Sequence, residues 1–115
     1  MDHIREINWE HIKTHMRGNS DSEKSTFIME SEDLEKEIKC LVNFVFDKGD
    51  LLKNKDIGFQ KAIWEPINNP NDKKEDKEMV GWDQNGEFTD ILTVVVKIVN
   101  SEGQVDVISA YPGKP

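Results

Sequence analysis

Apolar residues recur at helical spacing in two early stretches and at strand-like alternation after residue 58. Asn8 is placed to cap a first helix, in which Trp9, Ile12 and Met16 form one stripe and Gly18 supplies the stop. The polar run NSDSEKSTF, residues 19 to 27, reads as a loop, after which Phe27 and Ile28 re-enter the core. Ser31, Glu32 and Asp33 make a good second helix start, because acidic groups suit the positive end of the helix dipole. Leu34, Ile38, Leu41, Val42 and Val45 form its apolar stripe, and Lys48–Gly49 closes it.

Beyond Asp50 the period changes. GFQKAIW (58–64) predicts a strand ended by Pro66. NNPNDKKEDKE (68–78) has no apolar residue, so a solvated loop is expected over about residues 66–78. MVGWD (79–83), a QNGE turn and TDILTVVVKIV (89–99) predict a hairpin, the Asn–Gly pair being a strong turn signal. A second turn at NSEG (100–103) leads into QVDVISAYP (104–112). Together these predict an α+β fold: one domain over residues 1–115, with two N-terminal helices packed on a C-terminal antiparallel β-meander of about four strands.

Charge sets the register of the last hairpin. A turn centred on Ser101–Glu102 puts Lys97 opposite Asp106, a favourable cross-strand pair. The same register sets Val94 opposite Ser109, Val96 opposite Val107 and Ile98 opposite Val105. By alternation Ser109 and Tyr111 then finish the apolar, helix-facing side, while Thr93 and Lys97 point away from it.

Composition narrows the function classes. With 23 acidic and 15 basic residues the net charge is −8, which opposes nonspecific adhesion to nucleic acid and requires a local basic cleft for any specific kind. The same charge suits a domain that meets a basic partner. No run of about 18 apolar residues predicts a membrane span, and MDHIREIN shows no apolar signal region, as would also hold for a domain cut from a longer exported chain. Cys40 is the only cysteine, which excludes internal disulfides and multi-cysteine zinc sites; its neighbours Ile38, Leu41 and Val42 predict a buried structural thiol. No GxSxG elbow, Walker loop or GxGxxG is present, and no cofactor is expected.

The first helix carries the candidate chemistry. At about 100° per residue His11 and His15 lie about 40° apart, and about 100° around from the Trp9, Ile12 and Met16 stripe. They therefore flank the packed face. On spacing alone a solvated helix edge is the simplest reading. A zinc pair at i, i+4 is geometrically open, but residues 11–15 read HIKTH rather than HExxH and no third ligand stands out. An acid–base pair is the third reading, since histidine titrates near neutrality without tuning. Metal-free RNA cleavage needs a base, an acid and donors for a charged phosphorane; two histidines, Arg17 and a hydroxyl would cover these roles. Ser109 and Tyr111 also read simply as a small strand residue and a core-rim aromatic, and Trp64 and Trp82 as core or strand aromatics.

Two pieces of the chain, HIKTH (11–15) with the later STF (25–27), and SAYP (109–112) after TVVVKIV, resemble the barnase–EndoU–colicin–RelE group of small nuclease domains. The likeness is to the versions found at the C-termini of bacterial contact-dependent and other polymorphic toxins. The resemblance implies metal-independent endoribonuclease activity, often on tRNA, restrained by a cognate immunity protein and exercised in the bacterial cytoplasm after delivery as the C-terminal part of a secreted or cell-surface toxin. By position it implies His11 or His15 as general base or acid, Ser109 and Arg17 as phosphate contacts, and Tyr111 as a cleft residue. The chain departs from many such toxins in being acidic, and its charge supports a second expectation from another class: an acidic immunity protein or antitoxin that masks a basic partner.

Overall fold

The computed structural model describes residues 3–15, 26–47, 56–67, 79–100 and 104–115. The class is α+β, but the architecture is not a plain meander. In chain order the elements are β1 (Ile4–Ile7), α1 (Trp9–Ile12), β2 (Thr26–Phe27), α2 (Ser31–Asp47), β3 (Gln60–Pro66), β4 (Gly81–Trp82), β5 (Phe88–Thr89), β6 (Ile91–Ile98) and β7 (Val105–Pro112). One sheet has the order β1-β7-β6-β3, and a small second sheet has the order β2-β4-β5. No helix of the described residues is long and apolar enough to cross a membrane.

The larger sheet is mixed, because β1 runs parallel to β7. Sequence pattern gave no hint of this strand. Its apolar residues, Ile4 and Ile7, are three apart, which is out of step with a strand's period of two. The register explains the spacing: Ile4 pairs with Val105 and Glu6 with Asp106, leaving Arg5 as an extra residue. That bulge lets Ile7 meet Val107 and lets Arg5 reach Asp106 through two hydrogen bonds, of 3.0 and 2.7 Å.

The expected strand over residues 89–99 is divided. Phe88–Thr89 pairs with β4, whereas Ile91–Ile98 lies between β3 and β7. The change of partner falls at Asp90, whose carbonyl accepts from the Ile67 amide at 2.8 Å while the Thr89 hydroxyl accepts from the Ile91 amide at 3.1 Å. The Asn–Gly turn forms as expected: Gly86 has φ +76, and the Asp83 carboxylate accepts from the amides of Asn85 and Glu87.

α2 matches its pattern. Leu34, Ile38 and Val42 are fully buried, and they share one core with Ile63, Val94, Val96, Val105 and Val107. Each such side chain taken from water contributes about 1.5–3 kcal/mol. Cys40 departs from expectation and is exposed. It lies about 200° around the helix from Ile38, so apolar neighbours in sequence do not place it on the apolar face. Of the remaining expectations, Met16, Gly18, most of the 19–27 loop, the Lys48–Gly49 stop, residues 68–78 and the Ser101–Glu102 turn lie outside the described residues.

Candidate active site

The histidine segment is fixed at its start and anchored at its middle. The Asn8 amide donates to the Val107 carbonyl at 2.8 Å, and its side-chain oxygen accepts from the His11 amide at 3.2 Å. This is the expected N-cap. Ile12 is fully buried and pins the helix to the core. The α-helix then lasts only through Ile12 and tightens into a 3₁₀ turn over Lys13–His15. Within it the Thr14 hydroxyl donates to the His11 carbonyl at 2.7 Å.

His11 is exposed and His15 half-buried. Their ring centroids are 6.3 Å apart at an interplanar angle of 67°. The His15 ring lies 6.1 Å from that of Tyr111 on β7. Three of the residues singled out in the sequence thus gather, two from the first helical segment and one from the last strand. Arg17 lies outside the described residues.

A bulge in β7 decides which way Tyr111 points. Val96 pairs with Val107 but Val95 pairs with Ser109, so Ile108 has no partner on β6. The expected pairs Lys97–Asp106, Val96–Val107 and Ile98–Val105 are present; the expected Val94–Ser109 pair is not, because Val94 faces Ala110. Past the bulge the alternation is reversed. Ala110 joins the buried side, fully buried, while Ser109 and Tyr111 take the opposite side with Thr93 and Lys97. This corrects the expectation from strand alternation, which puts Ser109 and Tyr111 on the helix-facing side and Thr93 and Lys97 away from them. One uncounted residue is the cause. Ser109 and Tyr111 remain on one side of one strand, about 7 Å apart along it.

Beyond Tyr111 the chain is held firmly. Thr93 is fully buried, and its hydroxyl donates to the Gly113 carbonyl. Gly113 has φ +97, and a Cβ there would come within 2.9 Å of the Asp83 side chain, so both conformation and space require glycine.

Burial raises the Tyr111 phenol above its ordinary value of 10.0, so it stays a neutral hydroxyl donor across the physiological range. Its folded pKa exceeds its unfolded one. The stabilisation this represents is therefore complete below about pH 10 and fades as pH rises through the folded value. Wild-type protein is expected to lose stability more steeply than Tyr111→Phe in this alkaline range. Urea unfolding midpoints of the two proteins, compared at about pH 8 and about pH 11, measure the difference; parallel curves would refute the assignment.

No protein-family model, curated protein or solved structure matches this chain. The site must therefore be read from its own chemistry. Among the described residues no three His, Cys, Asp or Glu side chains gather as a metal-binding group, so the histidine pair has no third donor there. A separate depression of about 400 Å³ lies beside Asn8 and Trp9, where Glu6, Glu10 and Asp106 contribute to its lining and the histidines do not. Trp82 is half-buried and packs at a tilt against Phe88 with ring centroids 5.0 Å apart, as a strand aromatic should, but Trp64 is 42% exposed. Thr93, which strand alternation alone directs away from Ser109, makes a buried bond to Gly113 that steadies the Tyr111 end of the strand.

Proposed function

We propose that this chain is a metal-independent endoribonuclease domain, with RNA, tRNA included, as its substrate. The observation that carries the reading is the convergence of His11, His15 and Tyr111 from opposite ends of the chain. In an in-line displacement the attacking and leaving oxygens lie on opposite sides of phosphorus. Two imidazoles whose centroids are 6.3 Å apart are suitably spaced to bracket one phosphate. One takes the proton of the 2′-hydroxyl as that oxygen attacks the adjacent phosphorus; the other protonates the departing 5′-oxygen. The products are a 2′,3′-cyclic phosphate and a free 5′-hydroxyl. The neutral Tyr111 phenol, the Ser109 hydroxyl and Arg17 are the donors proposed for the charged phosphorane.

The resemblance of HIKTH and SAYP to the barnase–EndoU–colicin–RelE nucleases supports the same chemistry. It extends the proposal to a toxin domain acting in the bacterial cytoplasm, delivered as the C-terminal part of a larger exported protein and held by an immunity protein. Incubation of the folded chain with total tRNA tests the activity. Fragments ending in cyclic phosphate are expected with and without EDTA, and intact RNA under both conditions would overturn it.

A second reading has its own observation. The net charge of −8, with Glu6, Glu10 and Asp106 around one depression, suits an acidic protein that masks a basic partner. Expression inside a bacterial cell separates the two, since a toxin arrests growth unless its inhibitor is present and a masking protein does not.

A further inference from the structure

Beside Ser109 and Tyr111 the larger sheet carries side chains that the cleavage chemistry leaves unused. Trp64 of β3, Thr93 of β6 and Tyr111 of β7 are cross-strand neighbours in one row, and Ala62, Val95 and Ser109 form the next. Neither row holds a carboxylate, in a chain whose net charge is −8. At one end of the first row the His15 ring meets Tyr111; at the other the Lys114 ammonium lies 5.0 Å from the centroid of the Trp64 ring. Trp64 stands on an edge strand and is 42% exposed, although a tryptophan's large apolar surface is ordinarily well covered. Imidazole, phenol, indole and ammonium thus follow one another across the sheet, with the Thr93 hydroxyl buried between phenol and indole and bonded to the Gly113 carbonyl. Neighbouring strands are about 4.8 Å apart, so the indole stands about 10 Å from the phenol.

We propose that Trp64, with Lys114, is a stacking subsite for a nucleobase of single-stranded RNA, one nucleotide beyond the pair flanking the phosphate at His11 and His15. This rests on the ribonuclease reading and adds to it where the substrate lies. The indole offers a π-face that accepts any base, and Lys114 moves from the ring to the neighbouring phosphate when a base takes its place. Charge complementarity selects a polyanion as the occupant. None of the six residues in these two rows is acidic, and the Lys114 ammonium stands at their Trp64 edge. Such a subsite favours single strands and is largely indifferent to which base is bound.

The test uses the whole chain with two cleavable substrates, an RNA hexamer and a dinucleoside monophosphate, and one non-cleavable hexamer carrying 2′-deoxyribose throughout. Trp64→Ala is expected to lower kcat/KM on the RNA hexamer about 5- to 150-fold and to leave the dinucleoside monophosphate unaffected. Trp64→Phe, which keeps an aromatic face, is expected to retain most of the hexamer activity. The non-cleavable hexamer should quench tryptophan fluorescence in the wild type, and much of that quench should vanish in Trp64→Phe while binding persists. Equal losses on both substrates, or none on the hexamer, would overturn the subsite and leave the ribonuclease reading standing. A wild type that neither cuts nor binds RNA removes the ribonuclease reading first and the subsite with it. Quenching by a peptide but not by the oligonucleotide would also overturn the subsite, and would assign the surface to a protein.

Discussion

Alanine at either His11 or His15 is expected to lower the rate of RNA cleavage about 10²- to 10⁴-fold, the usual contribution of a positioned general acid or base. Each histidine has a separate proton to move, so neither variant should be rescued by the other ring. Stability should change little, because His11 is exposed and His15 only half-buried, while Ile12 and Trp9 anchor that turn to the core. The measurement is kcat on tRNA for each variant, alongside its thermal unfolding midpoint. Full activity in both alanine variants would dismiss acid–base catalysis by this pair. An acidic masking protein predicts that outcome, together with loss of partner binding when Glu6 or Glu10 is reversed in charge.

The largest effect on stability is expected from Phe27→Ala, at about 3–5 kcal/mol. Among the described residues Phe27 is the largest of the side chains buried beyond reach of solvent, and it stands on a strand of only two residues. Its backbone pairs with Gly81, where a Cβ would collide with the Thr26 carbonyl oxygen and come within 2.9 Å of the Phe27 Cα. Backbones already that close cannot shift further to fill a cavity, so the full cost should be felt. Against a typical total of about 5–15 kcal/mol, the loss would unfold an appreciable fraction of molecules. Urea denaturation gives the number, and a change below about 1 kcal/mol would mean that this strand contributes little to the core.

Much of the α+β pattern was legible because local chemistry encodes it. α2 follows from the spacing of Leu34, Ile38, Leu41, Val42 and Val45, and the Asn8 cap and the Asn85–Gly86 turn follow from what those side chains and a positive φ permit. Other features resisted because they depend on partners distant in sequence. β1 has no alternation to see, since Arg5 is a bulge whose reason is Asp106, 101 residues away. Nothing in TDILTVVVKIV marks Asp90 as the point where one sheet yields to another. Cys40 among aliphatic neighbours looked buried because adjacency in sequence is not adjacency on a helix face.

The sequence by itself determined that the two histidines of HIKTH would sit on a capped helical turn, beside but not within the apolar stripe, and that SAYP would end an aliphatic hairpin. Their meeting belongs to tertiary structure. Parallel pairing of β1 with β7 carries the first turn to the last strand, and the bulge at Ile108 turns Ser109 and Tyr111 to the side shared with Thr93 and Trp64. Periodicity specifies which residues alternate along a strand. It cannot specify where a residue is skipped, because a bulge satisfies a packing demand set by another part of the chain. The histidine pair could be read as a candidate from its own ten residues, but the wall opposite it required the fold.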